Sequence, residues 1–508
     1  MKYIKFLFSH FVIVALAIIA QIGLIIFLIE KLNEYYAYLQ LMLSIISVLF
    51  AFNILNRNMN PDYKVPWLML VLGIPLVGIV LYILFSKNYL TINQQKRAKK
   101  IIEKNKKYIN ITSEEDEKNR QILKEYYGQN KYIESTSKNK ASTNTKLTYF
   151  KTGEEFFVDL TNELKNAKKF IFMEYFIIEE GEMFNTILDV LREKIKEGVD
   201  VRLIYDDVGS ASKVKIRYYK KLQQAGIKCY IFNPFIPVIS GIHNNRDHRK
   251  ITVIDGIKGY TGGINLADEY INEVHPYGTW KDSAIKLEGV GVKNLTLLFL
   301  NMYDFITNNY DDYDKYLDLE YPYYETNGVV NAFGDGPSPI DNELIGENVY
   351  INILNNAKEY VYITTPYLIV DYNFISAIRN AVFRGVDVRI ITPHTPDKKI
   401  IFNLTRSYYK ELIESGVKIY EYEPGFIHAK NFVCDDKIGV VGTINLDYRS
   451  LVHHYECAAW IYNDQVIKDI KDDFITTLNE SIEITKDFKL SKFTRLVNYI
   501  LKFFTPLL

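Results

Sequence analysis

Residues 248–265 read HRKITVIDGIKGYTGGIN, and residues 428–445 read HAKNFVCDDKIGVVGTIN. Both follow the spacing His-x-Lys-x4-Asp-x6-Gly-x-x-Asn. This sets His248, Lys250, Asp255, Gly262 and Asn265 in register with His428, Lys430, Asp435, Gly442 and Asn445. A five-position pattern met twice in one chain is a strong signal even after composition is allowed for. His-x-Lys is an alternation of period two, so an extended strand projects imidazole and ammonium from the same face. Gly-x-x-Asn after the second apolar run reads as a strand end, where a small residue lets backbone approach a ligand.

Brought together, the copies offer two imidazoles, two ammonium groups and two amides. That set suits a phosphodiester. Lysines and amides neutralise the non-bridging oxygens, one imidazole attacks phosphorus, and the other protonates the leaving alkoxide. The cations are side chains, so the chemistry requires neither a metal nor a cofactor.

The chain repeats itself beyond the motifs. EGVDVRLIYDD (197–207) matches RGVDVRIITPH (384–394), and YYKKLQQAGIKCYIFNP (218–234) matches YYKELIESGVKIYEYEP (408–424). AKKFIFMEYF (167–176) likewise matches AKEYVYITTPY (357–367). From about residue 146, strand-like and helix-like segments alternate, which predicts an α/β layer structure in two halves. The Gly/Pro-rich stretch NGVVNAFGDGP marks the junction near residues 325–336.

Three apolar runs precede this part, at 6–29, 36–55 and 65–85. Each is long enough to cross a ~30 Å hydrocarbon core at ~1.5 Å rise per residue. Trp67 and Tyr82 near the ends of the third run read as an aromatic belt. Residues 87–107 carry eight Lys/Arg against Glu103 alone, which by the positive-inside rule puts the following part on the cytoplasmic face. The same segment is read either as a headgroup contact or as a solvated helix face. The last residues, 486–508, carry an apolar stripe at helical spacing with Lys489, Lys492, Arg495 and Lys502 mostly elsewhere on the wheel.

Lys+Arg and Asp+Glu are equal at 61 each, so no charge bias points to nucleic acid. Cys229, Cys434 and Cys457 are odd in number and lack zinc-like spacing, against a disulfide framework or a structural zinc. Cys434 reads as strand core.

The paired motifs resemble the two HKD motifs of the phospholipase D superfamily, and the chain from about Leu39 onward resembles bacterial cardiolipin synthases. The segment Trp67, Pro75, Gly78, Tyr82 is similar to the W-x7-P-x-x-G-x-x-x-Y run that precedes their catalytic part. The resemblance implies an α/β fold of two pseudo-symmetric phospholipase D-like lobes, with mixed sheets flanked by helices, behind N-terminal transmembrane helices. The expected divisions are a membrane region 1–86, a basic linker 87–145, lobes at 146–325 and 326–485, and an amphipathic C-terminal helix 486–508. It implies a membrane phosphatidyltransferase that condenses two phosphatidylglycerol molecules to cardiolipin and glycerol through a phosphatidyl-histidine.

Within that resemblance His248, Lys250, Asp255, His428, Lys430 and Asp435 are the expected catalytic set, with His248 as nucleophile and His428 as general acid then base, or the reverse, which the pseudo-symmetry also allows. The motif aspartates are equally open to a structural role in a turn or salt link. Asn265, Asn445, Gly263 and Thr443 are expected to support phosphate; Gly263 and Thr443 stand where the family often has Ser. An acidic residue about thirty positions after each motif histidine orients it in this superfamily, which gives Asp282 to His248 and Glu456 to His428. Glu174, Asp206, Tyr367 and Asp371 match family cleft positions at strand ends. His453 and His454 have no motif partner and read as ordinary residues. The partners expected are phosphatidylglycerol as donor and acceptor and the lipid bilayer of a bacterial cell membrane, with multi-pass anchoring and no nucleic acid. A phospholipase D that admits water, a nucleic-acid phosphodiesterase and a non-catalytic scaffold are the competing readings.

Overall fold

The structure is a computed structural model describing residues 19–27, 33–57, 59–86, 91–109, 111–234, 244–310, 312–337, 341 and 343–505. The chain divides into two compact units. One comprises Met1–Tyr89, Phe235–Asn244 and Tyr499–Leu508; the other comprises Leu90–Pro234 and Asn245–Asn498.

In the first unit, a helix of 24 residues, Asn33–Asn56, contains Ala37–Asn56, a stretch long and apolar enough to cross a membrane. Of the run at 6–29, positions 19–27 are helical and the rest lie outside the described residues. The run at 65–85 is not one span. It breaks at Ile74 between helices Pro61–Gly73 and Pro75–Phe85, because Pro75 has no N–H to donate and crowds helical backbone at the residue before it. The two arms fold back on each other. Trp67 and Tyr82 would lie ~22 Å apart on a continuous helix, yet their rings meet edge-on at 5.4 Å and both are buried. They are hairpin core, not a belt. Gly78 makes the close approach possible, since a Cβ there would meet Leu70 O at 2.1 Å. Arms of 13 and 11 residues rise only ~20 and ~17 Å, too short to cross singly.

The second unit carries two mixed sheets of the same design. The first lobe provides β1 (Thr145–Phe150), β2 (Phe170–Tyr175), β3 (Asp200–Asp206), β4 (Lys228–Phe232), β5 (Ile251–Ile254), β6 (Lys258–Gly262), β7 (Thr279–Lys281) and β8 (Ala284–Gly289). The second provides β9 (Val329–Asp335), β10 (Tyr360–Thr364), β11 (Leu368–Ile369), β12 (Asp387–Pro393), β13 (Lys418–Tyr422), β14 (Gly425–Ile427), β15 (Asn431–Cys434), β16 (Ile438–Gly442), β17 (Leu446–Asp447), β18 (Glu456–Tyr462) and β19 (Ser481–Ile484).

The strand orders are β1-β8-β6-β5-β2-β3-β4 and β9-β18-β16-β15-β10-β12-β13-β19. They are the same arrangement with β19 added at one edge. In each, the three strands that begin the repeat pair in parallel, and the motif strands pair antiparallel. The repeated Gly-Val-Asp stretches explain part of this identity. Gly198 and Gly385 end their helices at φ +89° and +92°, a left-handed turn that glycine adopts without strain, and send the chain into β3 and β12.

The lobes share one apolar core that includes Phe172, Val253 and Leu287 of the first and Val433, Val441 and Ala459 of the second. Central strands such as β2 and β18 are buried along their whole length, which fits their nearly continuous apolar sequences. The basic helix Ile92–Ile109 packs against this unit. Lys104 pairs with Asp304 at 3.2 Å, Lys107 with Asp314 at 2.7 Å, and Lys100 lies 3.6 Å over the Tyr310 ring. Part of the charge read as a possible headgroup contact is therefore paired with this unit, while Lys100 and Lys107 stay exposed.

Candidate active site

Each motif begins just before a strand, His248–Lys250 before β5 and His428–Lys430 before β15. In both, the lysine ammonium curls back to donate to its own histidine's carbonyl, at 2.6 Å for Lys250. All four side chains are buried.

The segments ahead of the motifs pair across the lobes rather than within them. Strand β14 lies parallel to β7, with Phe426 opposite Trp280 and Ile427 opposite Lys281. A matching parallel bridge joins Asp247 to Tyr455. The backbone N–H of His248 donates to Tyr455 O at 2.9 Å, and that of His428 to Lys281 O at 2.7 Å. The next residue on each partner strand is a carboxylate, so each histidine receives the acid of the opposite lobe. His248 Nδ1 lies 2.9 Å from both Glu456 oxygens, and His428 Nδ1 lies 2.6 Å from Asp282 Oδ2. The expected in-lobe assignment is thus reversed. With Nδ1–H held by a carboxylate, Nε2 of each ring keeps the lone pair needed to attack or to accept a proton.

Comparisons with known proteins follow the same lines. The chain matches the family described as "Cardiolipin synthase, PLD-like domain" over residues 160–279 and 350–478. It matches "Phospholipase D-nuclease N-terminal" over residues 45–87. A cardiolipin synthase of Alkalihalophilus pseudofirmus is 33% identical across 89% of this chain and 90% of its own. "Cardiolipin synthase 2" of Bacillus cereus is 35% identical across 89% and 88%. An uncharacterized protein of Streptococcus mutans serotype c reaches 42% across 90% and 98%. The chain belongs to the cardiolipin synthase family. Among solved structures, phosphatidylserine synthase of Haemophilus influenzae has the same fold, with TM-score 0.57 and 16% identity over 75% of this chain and all of its own.

In this cardiolipin synthase family member the electrostatics of the two halves are linked. Burial pushes His248 well below the usual imidazole range, with Lys250, Lys430 and His428 adding to it. Burial, then Lys430, lowers His428 to about 4, against the pull of Asp282. Burial also brings Lys250 down to about 8 and Lys430 to about 7. For Asp282, burial acts to raise the pKa, but His428, Lys430 and the Ser283 amide together hold it below the carboxylate range.

The supporting residues differ from expectation. The Thr443 hydroxyl donates to Glu456 Oε2 and accepts from the Cys457 amide at 3.0 Å, so it steadies the carboxylate behind His248. Gly263 does the equivalent by leaving room, because a Cβ there would lie 2.0 Å from Asp282 Oδ1. Asn265 accepts from Ile177 N at 3.0 Å and donates to the Tyr270 hydroxyl at 2.6 Å, which ties it to the loop after β2. Asn445 is buried with Oδ1 unpaired among the described residues. Glu174 forms a buried pair with Arg249 at 2.7 Å beneath the first motif. Asp206, raised by burial to about 6, accepts the Asp247 and Gly209 amides. Tyr367 donates to Asp397, and Asp371 caps the helix Tyr372–Phe383.

The motif aspartates are not in the cleft. Seven residues at ~3.3 Å rise put Asp255 ~23 Å along the chain from His248, and its carboxylate accepts the backbone amides of Lys168, Lys169 and Phe170 at 2.6–2.9 Å. Asp435 does the same for Lys358, Glu359 and Tyr360 at 2.7–2.9 Å. Both sit at positive φ, 53° and 51°, which Asp tolerates better than most residues. The placement of these residues in the catalytic set is corrected accordingly: each aspartate pins the start of β2 or β10 to the turn after its motif strand. Asp255→Ala and Asp435→Ala should each destabilise the fold by about 2–4 kcal/mol, seen as a lowered thermal midpoint. Turnover per folded molecule should stay close to wild type; a selective loss of turnover would return them to the chemistry.

Sequence reading missed the rings around the histidines. Phe176 and His454 lie 4.9 and 5.5 Å from the His248 ring, and Trp280 and Tyr270 lie 5.4 and 5.6 Å from that of His428. Trp280 and His454 each stand two residues before an orienting carboxylate, the one signal that could have pointed to them.

Proposed function

We propose that the protein transfers a phosphatidyl group from one phosphatidylglycerol to a hydroxyl of another, giving cardiolipin and glycerol. The observation that carries this reading is the crossed pair of imidazoles, each oriented through Nδ1 by the other lobe's carboxylate and each beside a buried lysine.

In the first half-reaction His248 Nε2 attacks phosphorus, a P–N bond forms, the P–O bond to glycerol breaks, and protonated His428 gives its proton to the departing oxygen. In the second, neutral His428 takes the proton of the incoming hydroxyl, the new P–O bond forms, and the P–N bond returns its electron pair to His248. Burial and the neighbouring lysines keep both rings neutral without substrate. A bound diester anion supplies the charge that lets His428 carry a proton in the complex. One phosphodiester replaces another, so no nucleotide is consumed. A site that faces the bilayer raises lipid hydroxyl over water at the second step.

Purified enzyme with labelled phosphatidylglycerol should yield cardiolipin and free glycerol in equal amounts. Phosphatidic acid as the main product would instead make it a hydrolase. The apolar helix Asn33–Asn56 supports membrane anchoring, and the basic stretch at 87–107 supports lobes on the cytoplasmic face. Protease added to intact spheroplasts should then leave the lobes uncut.

The lysines set the pH dependence. Their lowered values mean that phosphate-holding charge is present below about 7 for Lys430 and about 8 for Lys250, and is lost as pH rises through them. The pH profile of kcat/KM, which reports the free enzyme, should fall between about pH 7 and 9. An acid limb would come from protonation of the nucleophile His248, which burial and the neighbouring lysines place well below the usual imidazole range.

A further inference from the structure

The half of the site around His248 holds a third imidazole that phosphoryl transfer does not use. His454 is 8% exposed, and neither ring nitrogen has a hydrogen-bond partner among the described residues. Its Nδ1 lies 3.7 Å from Glu456 Oε1. One donor atom from each of His248, His454 and Glu456 lies within 4.8 Å of the other two. A buried polar group left unmet is costly and uncommon. Here both nitrogens of one ring are unmet, next to a second imidazole and a carboxylate.

We propose that His248, His454 and Glu456 form a binding site for a divalent transition-metal ion of the zinc class, and that occupancy there stops turnover. Two imidazoles and one carboxylate select Zn²⁺, Co²⁺ or Ni²⁺ over Mg²⁺ and Ca²⁺, which prefer oxygen-only shells. Three protein ligands leave a fourth position for water. Ligand atoms ~2.0–2.1 Å from a tetrahedral zinc lie ~3.3 Å apart, so donor atoms that lie within 4.8 Å of one another need draw in by at most about 1.5 Å. His454 can make that movement because it has no hydrogen bond to break. Glu456 can bind through Oε1 while Oε2 keeps its bond to Thr443.

The site is one-sided. The position equivalent to His454 in the other lobe is Trp280, whose indole has an N–H and no lone pair for a metal, and its ring lies 5.4 Å from His428. The His428 half therefore works without a third ligand, which marks the metal site as an addition to the transfer machinery. Inhibition follows because a metal-bound His248 has surrendered a nitrogen, and Glu456 no longer holds its tautomer. The binding stands apart from the proposed function, while the effect on turnover rests on it.

The test uses full-length purified wild type and His454→Asn, with His454→Gln as a second variant in case the first folds poorly. Zn²⁺ is titrated by calorimetry in a metal-buffered solution without lipid. Co²⁺ is titrated in parallel, and its visible absorption reads nitrogen ligation. Turnover is then measured in phosphatidylglycerol vesicles with and without Zn²⁺. Wild type should bind one ion per chain and lose turnover as it does so, with millimolar Mg²⁺ unable to compete. The variants should bind at least about tenfold more weakly, resist Zn²⁺, and keep wild-type turnover in its absence. Absence of binding by wild type, or equal binding and inhibition in the variants, overturns the site. Binding that the variants lose while Zn²⁺ inhibition persists overturns its role as a brake. A wild type that binds Zn²⁺ and gives the imidazole-ligated Co²⁺ spectrum but makes no cardiolipin would sink the functional reading and leave the site standing.

Discussion

His248→Asn should abolish cardiolipin formation, with turnover reduced by at least ~10⁴-fold, the scale on which a nucleophile within a catalytic unit fails. His428→Asn should fall nearly as far with the natural substrate, because neither the glycerol oxygen nor the incoming hydroxyl can exchange its proton. A phosphatidyl ester of p-nitrophenol separates the two roles, since nitrophenolate leaves without needing a proton. With that ester, His428→Asn should release about one nitrophenolate per enzyme and accumulate a phosphatidyl adduct on His248, identified by mass analysis of an acid-quenched digest. His248→Asn should release none. The opposite pattern would exchange the assignments, and no adduct in either variant would end the double-displacement mechanism. The pseudo-symmetry of the lobes is what makes this experiment necessary, because both rings are oriented in the same way, His248 by Glu456 with Thr443 and His428 by Asp282 beside Gly263.

Glu456→Gln and Asp282→Asn should each lower turnover by about 10²–10⁴-fold with the fold retained, by analogy with other carboxylates that hold an imidazole tautomer. The crossed geometry makes a sharper statement. Groups that act through one another are strongly non-additive. His248→Asn combined with Glu456→Gln should thus be little worse than His248→Asn alone, and His428→Asn with Asp282→Asn should behave likewise. If non-additivity followed the in-lobe pairs instead, the 2.9 and 2.6 Å contacts across the lobes would have no catalytic meaning.

The cross-lobe pairing also bears on what coupling the lobes achieves. Neither histidine is oriented by its own half, so a separated lobe would present an imidazole with an unfixed tautomer. Additional cross-lobe bonds, Ser283 Oγ to Asn431 Oδ1 at 3.0 Å and Thr261 Oγ1 to Cys457 Sγ at 3.2 Å, hold the motif strands in the register this requires.

The amino-acid order by itself determined the local pieces: the two motif strands, the repeated helix-Gly-strand units, the α/β class, the apolar N-terminal helix and the identity of both histidines, both lysines and both orienting acids. These follow from periodicity, turn chemistry and spacing, which act over a few residues. Tertiary structure alone decided which acid serves which histidine. Asp282 and Glu456 lie 34 and 28 positions after the motif histidines of their own lobes, but 146 positions before and 208 positions after the histidines they bond. Only the parallel pairing of β7 with β14, and of Asp247 with Tyr455, brings those partners together. The amide-capping role of Asp255 and Asp435 and the unpaired ring of His454 were hidden for the same reason. Each depends on what a side chain meets from a distant segment, and spacing along one strand carries no record of that.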